Sequence, residues 1–345
     1  MAKKVSIVDI ANSLGVSKTL VSLVINNKAN EYGISNETQK KVLDKISELG
    51  YRPNNLARGF RTGKSNTIGI IVSDISNRFY SRIVRTIEDK AWEKGYSVVI
   101  CSTNEDYNKE REQIKFLCDK QVDGIIISSS QKDDSQFQEL NQLKIPHVLI
   151  DRKFDNSNSC SVTIDNYKGS ELAINHLINH GYNRIGLITI TPLHISTIRD
   201  RELGFCDTMK EHGKVIDQSW ILKIPFNNLE ESIEHKITKL YKSNNLPEVF
   251  FTLNNNLTSN TLLTLKKLKI DVPDQISIIG FDDLLYFNFT QPSITAINQP
   301  VLDIGEKSFN LLIEQIEHKN KKLPIKSYQL PVELIVREST KNIKL

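Results

Sequence analysis

Residues 6–26 read SIVDIANSLGVSKTLVSLVIN. Ile7, Ile10, Ala11 and Leu14 fall at i, i+3, i+4 and i+7, one apolar stripe of a helix. Ser6 with Asp9 three residues on resembles a capping box. Gly15 can take the left-handed conformation that ends a helix. Ser17 can then cap a second helix, whose apolar face is Leu20, Val21, Val24 and Ile25. Two short helices around a Gly-containing turn form the pattern of a helix-turn-helix. An ordinary helical hairpin has the same pattern, so the rest of the chain must decide between them.

Charge is the first discriminator. Residues 1–66 hold 11 Lys/Arg against 5 Asp/Glu, a balance of +6, and the remainder holds 34 against 36, a balance of −2. The basic excess therefore sits wholly around the helix pair, the footprint of a nucleic-acid-binding head on a neutral body. A solvated basic tail would lack the apolar stripe. Cys101, Cys118, Cys160 and Cys206 are far apart with no CxxC pair, which reads as reduced thiols in a cytoplasmic protein. No apolar segment follows Met1-Ala2-Lys3-Lys4, and no run approaches about 18 apolar residues, so neither export nor a membrane span is expected.

Working outward, Ser35 or Asn36 caps a third helix, with Val42, Ile46 and Leu49 on its inner stripe and Gly50 at its end. Residues 51–65, YRPNNLARGFRTGKS, follow. Pro53 can open a short helix there and Gly63 can close it; alone in water such a helix is marginal. Gly63-Lys64-Ser65 resembles the end of a phosphate-binding loop, but the first glycine of that motif would fall on Arg58, and the stretch precedes a strand instead of following one. From Thr67 the period changes. Strand-like runs (67–72, 96–101, 124–127, 148–150, 161–164, 184–190, 220–224, 249–253, 276–281) alternate with helical ones (79–94, 109–120, 168–179, 200–212, 230–243, 257–268, 301–317). Such alternation argues parallel sheets covered on both faces, enough of them for two doubly wound lobes. Ligands in such sheets lie beyond the carboxyl ends of the strands. No GxGxxG follows any strand, so no dinucleotide cofactor is expected.

The whole order resembles the LacI/GalR family of bacterial transcription regulators. The matching stretches are VDIANSLGVSKTLVSLVIN, ISNETQKKVLDKISELGYRPNNLAR, TGKSNTIGIIV and VPDQISIIGFDD. The resemblance implies an all-α helix-turn-helix head plus an α/β body of two doubly wound lobes, shaped like a periplasmic-binding protein. It divides the chain into a DNA-binding head at 1–50, a hinge helix at 51–66 and an effector-binding body at 67–345. Lobe one would comprise 67–165 and 298–327, and lobe two 166–297 and 328–345. It further implies a homodimeric repressor on near-palindromic double-stranded operator DNA, with affinity controlled by a small sugar-like effector.

On the second helix Thr19, Ser22, Leu23 and Asn26 lie away from the apolar face, and Lys18 flanks them. The resemblance places this helix in the major groove, with Ser6, Ser17, Lys18, Thr19, Ser22, Leu23 and Asn26 at the DNA. Leu23 departs from the Arg or His of many relatives and can make only apolar contact, for example with a thymine methyl; packing beneath the hinge is its other reading. Asn54, Ala57, Arg58, Phe60 and Arg61 match the hinge contacts. Phe60 stands where a Leu wedge is usual in the minor groove, and an aromatic wedge can unstack a step at a cost of a few kcal/mol.

For the effector, Asp151, Asn254 and Asp282 follow strand ends, and Arg201 lies near the start of its helix. Arg201, Asn254 and Asp282 match effector-binding positions of the family. Arginine and carboxylate suit adjacent hydroxyls because both bond bidentately. Asn77, Phe79 and Tyr80 resemble the first-lobe part of that site, and Phe226 can stack on a sugar face. The alternative for Asp282 and Asp283 is a capping pair. Asn255 departs from the Asp common in the family. His176 and His180 stand at i, i+4, but without the Glu of HExxH they read as structural, and no metal is expected. A sugar-processing enzyme or kinase would need a nucleophile, an acid/base constellation or a phosphate loop, none of which the sequence carries, so no enzyme is expected. A transport binding protein would need a signal peptide and would not need a basic head.

Overall fold

The structure is a computed structural model of the 345-residue chain; it describes residues 5–51, 64–155, 157–191, 194–319, 321 and 323–344. It divides into two compact units, Met1–Ser65 and Asn66–Leu345.

The described part of the first unit holds helices α1 (Ile7–Leu14), α2 (Lys18–Ile25) and α3 (Asn36–Glu48). Ser6 accepts from Asp9 N while Asp9 reaches back to the Ser6 N–H, a complete capping box. Gly15 ends α1 at φ 62°, a conformation that an alanine would resist. The chain turns, Ser17 caps α2 through Leu20 N, and the axes of α1 and α2 bend by 113°, within the range of a helix-turn-helix. Ile10, Ala11, Val21, Val24, Ala29 and Val42 close one small core between the three helices.

The second unit begins with β1 (Thr67–Val72), α4 (Arg78–Glu93), β2 (Ser97–Ser102), α5 (Tyr107–Asp119), β3 (Gly124–Ile127), α6 (Ser135–Gln142), β4 (His147–Ile150) and β5 (Cys160–Ile164). It continues with α7 (Asn166–Asn179), β6 (Ile185–Thr191), α8 (Ser196–Glu211), β7 (Ile221–Pro225), α9 (Leu229–Lys242), β8 (Val249–Thr252), α10 (Asn255–Lys267) and β9 (Ser277–Phe281). It ends with β10 (Thr295–Asn298), α11 (Val301–Glu317), β11 (Ser327–Leu330) and β12 (Glu333–Ile335).

Two six-stranded sheets result, ordered β11-β5-β4-β3-β1-β2 and β12-β10-β9-β8-β6-β7. Every pairing is parallel except β10 with β12. Strands buried on both faces need apolar residues at every position, and β1 shows it: Ile68, Ile70 and Val72 join one core, and Ile71 joins the core on the opposite face. Each fully buried side chain of this size stabilises by about 1.5–3 kcal/mol.

The expected alternation is present, with additions. Helix α6 and strands β10, β11 and β12 were not anticipated: α6 buries only Phe137 and Leu140 in a polar run, and the three short strands mix polar with apolar residues and so lack an apolar run. The expected lobe boundary at 327/328 needs correction. Ser327–Leu330 pairs with β5 in the first sheet, and the chain passes to the second only at Pro331 and Val332, before β12 pairs with β10. Among the described residues no single helix is long and apolar enough to cross a membrane.

Candidate functional site

In the second unit, strand ends converge. Ser73 follows β1, Asp151 follows β4, Phe226 follows β7, Asp282 follows β9 and Gln299 follows β10, and all line one cleft. This is the carboxyl edge of both parallel sheets, where open α/β folds leave a crevice. Asn77, Phe79, Tyr80, Asp151, Arg201, Phe226, Asn254 and Asp282, the eight residues expected from sequence, all face this cavity. The cavity measures about 70 Å³.

The side chains are held from behind. Tyr80 Oη donates to Asp151 Oδ2 at 2.8 Å and lies 3.0 Å from Ser128 Oγ. Burial raises the Tyr80 hydroxyl's pKa far beyond the usual tyrosine range, so it remains a donor. Burial also raises the Asp151 carboxyl, against the pull of Arg152, Arg201 and the Tyr80 hydrogen bond. Arg201 donates to Asn166 Oδ1 at 2.7 Å and to the Leu253 carbonyl at 2.7 Å, and its guanidinium carbon stacks 3.7 Å from the Phe281 ring centroid. Gly204, one turn along α8, permits this. A Cβ there would lie 2.9 Å from Ser170 Cβ and press on the Tyr167 carbonyl, forcing α8 away from α7.

Asn77 and Asn254 cap α4 and α10 through Phe79 N and Leu257 N. Asn255 Nδ2 donates 2.8 Å to Asn77 Oδ1, joining the lobes across the cleft. A carboxylate at 255 could not donate, which accounts locally for the amide there. The backbone N–H of Asn255 donates to Asp282 Oδ2 at 3.1 Å, and Gln299 Nε2 donates to Asp282 Oδ1. Asp283 faces elsewhere: Arg337 binds it with both terminal nitrogens at 2.9 and 2.7 Å, an ion pair instead of the suggested capping pair.

Sequence reasoning missed Glu105, Gln299, Ser73, Thr197 and Asn256. Glu105 and Arg152 form a bidentate pair at 2.5 and 2.7 Å, with side chains 11% and 9% exposed. Burial pushes the Glu105 carboxyl up, but Arg152 and the hydrogen bonds from Ser130 and Ser73 outweigh it and hold the pKa below the usual range. The strand-end rule would have found Gln299 had β10 been recognised; Glu105, three residues past β2, leaves no such signal.

In the first unit, Ser6, Ser17, Lys18 and Thr19 are exposed at the helix starts, the first two as caps. Ser22 accepts from Asn26 Nδ2 through its carbonyl at 2.7 Å. Leu23 is half-buried yet is not among the side chains packed on the head's core. Asn54, Ala57, Arg58, Phe60 and Arg61 lie outside the described residues. His176 and His180 stack with ring centroids 4.1 Å apart; His176 Nε2 bonds Thr340 Oγ1, and His180 Nδ1 bonds the His176 carbonyl.

Comparison with known proteins gives matches along the chain. Residues 6–54 match the profile of bacterial regulatory proteins of the lacI family, and residues 174–340 match a periplasmic binding protein-like domain. The HTH-type transcriptional regulator RegA of Clostridium saccharobutylicum is 35% identical over 340 residues, 97% of this chain and 99% of that one. The lac repressor dimer bound to operator and the anti-inducer ONPF superposes with a TM-score of 0.80 over 98% of this chain and 100% of that one, at 23% identity. A periplasmic binding protein/LacI transcriptional regulator from Alkaliphilus metalliredigens, complexed with D-xylulofuranose, superposes with a TM-score of 0.69 at 30% identity, over 80% of this chain and 99% of that one.

Proposed function

The chain belongs to the lacI family of bacterial regulatory proteins, and from that premise we propose that it is a cytoplasmic repressor: a homodimer that binds a near-palindromic operator and responds to a sugar or sugar derivative in the cleft. It is a DNA-binding transcriptional regulator with a ligand-binding body, not an enzyme. Lys18, Thr19, Ser22 and Leu23 read the major groove, and the hinge around Phe60 enters the minor groove. Ser6, Ser17 and Asn26 serve at the phosphates, with Asn54, Ala57, Arg58 and Arg61 as hinge contacts.

The observation that carries the effector reading is the bond between Asn77 and Asn255, beside a cleft lined by carboxylates, guanidinium groups, amides and three aromatic rings. A ligand seated between Phe79 of one lobe and Phe226 of the other favours one lobe arrangement over another. In a dimer such a shift alters hinge order and thereby DNA affinity, a coupling between two distinct sites. The D-xylulofuranose bound by the 30%-identical relative supports a sugar-sized ligand.

The test is a gel shift with random-library DNA, with and without sugars. Retention of a near-palindromic sequence, changed by a sugar, is expected. The absence of sequence-specific retention under every ligand condition would refute the proposal.

A further inference from the structure

Building on the reading of the cleft as a sugar site, we propose that the effector is an uncharged oligosaccharide, with one ring in the inner cleft and the next in a vestibule at its mouth. The charge of the lining excludes phosphate. The ionisable residues of the inner cleft are Arg152 and Arg201 against Glu105, Asp151 and Asp282, a formal balance of −1. The Arg152 guanidinium offers no open fork of the kind a phosphate takes. Arg152 is held by both Glu105 oxygens and the Ser129 carbonyl, and Arg201 has Nε committed to Asn166 and Nη1 to the Leu253 carbonyl, with its guanidinium stacked on the Phe281 ring. A phosphate would bring about 1.5 to 2 negative charges into this lining.

The vestibule sets the length. A second cavity, of about 540 Å³, shares Glu105, Thr191 and Phe226 with the inner cleft. Asn104, Asp106, Tyr107 and Asn108 come from lobe one and Asn227 from lobe two; no Lys or Arg lines it. Tyr107 holds an aromatic ring 48% exposed among these amides. A sugar ring offers an apolar face for the aromatic groups and hydroxyls for the amides, so this wall suits it. The turn that builds the wall is strained: Asn104 and Glu105 both sit at positive φ, 55° and 60°, a conformation that costs a non-glycine residue and persists where its surroundings enforce it. Glu105 is enforced by Arg152. A monosaccharide held in the inner cleft would leave the vestibule empty.

Isothermal calorimetry on the full chain with pentoses, hexoses, their phosphates and the disaccharides built from them tests this. A disaccharide should bind at least about tenfold tighter than its component monosaccharide, and no phosphate should bind tighter than its parent sugar. Tyr107→Ala should remove about three- to tenfold of the disaccharide affinity. A sugar phosphate as the tightest ligand, or a monosaccharide that binds as tightly as every disaccharide, overturns the inference and leaves the sugar reading standing. Failure of every sugar, phosphorylated or not, overturns both.

Discussion

Glu105→Met leaves the Arg152 guanidinium buried without its carboxylate. At the 2.7 Å contact and an effective dielectric of about 20, the lost Coulomb attraction is about 6 kcal/mol. Arg152 keeps the Ser129 carbonyl at 3.0 Å and Asp151 Oδ2 at 3.6 Å from Nε, which recover part of it. A net cost of about 3–4 kcal/mol follows, in the usual range for breaking a buried pair. Arg152→Met strands Glu105 with only serine partners and costs a similar amount. Replacing both residues removes both buried charges and leaves the Ser129 carbonyl and the Ser130 hydroxyl short of a partner, about 2–3 kcal/mol. The double variant should therefore be no less stable than either single one, with a coupling of about 4 kcal/mol. Urea denaturation of the four proteins at pH 7, with equal m-values, measures it. A double-variant loss equal to the sum of the single losses, within about 0.5 kcal/mol, would refute the reasoning.

Burial, and then the neighbouring His180, depress the His176 pKa to about 4. The unfolded chain, with its histidine near 6.5, therefore takes up this proton first on acidification. The His176 contribution should be intact above about pH 6.5, shrink as pH falls toward 4, and amount to about 1–2 kcal/mol after allowance for solvent screening; His176→Asn should flatten the denaturation-versus-pH slope in that window. Leu23→Arg should shift base preference at one position of each operator half-site, read by site selection on random DNA, and an unchanged motif would place Leu23 outside the base readout. Asn255→Leu removes the hydrogen bond to Asn77, worth about 1 kcal/mol net; ligand affinity measured by calorimetry should fall about fivefold. DNA affinity should drop steeply with salt, and Arg58→Ala should lessen the slope of log K against log salt by about 1.

Asp151, Asn254, Asp282 and Arg201 could be named from sequence because each is tied to a local landmark, a strand end or a helix start, whereas Asn77, Phe79 and Tyr80 came from the family resemblance. Asp151 and Asp282 directly follow apolar runs whose period marks them as buried strands. Gln299 obeys the same rule but follows Thr295–Asn298, whose polar ends leave no apolar run to mark a strand. Glu105 and Arg152 are 47 residues apart, and neither has a neighbour that announces the other. Asn255 could be seen to differ from its relatives, but its partner Asn77, 178 residues away, could not.

Local physics is thus written in the chain itself. The capping box at Ser6, the left-handed turn at Gly15, the apolar stripes of α1 and α2 and the two-face burial of β1 depend on neighbours a few residues off, so a period or a cap residue suffices to read them. The confinement of basic charge to residues 1–66 is equally a property of order alone. Pairing across distance is of another kind. Which carboxylate meets Arg152, which amide bridges the lobes and which side chains turn from the cleft, as Asp283 does toward Arg337, depend on where two twisted sheets bring their strand ends. That placement is set by packing of whole layers, and desolvation then selects among the polar groups it brings together.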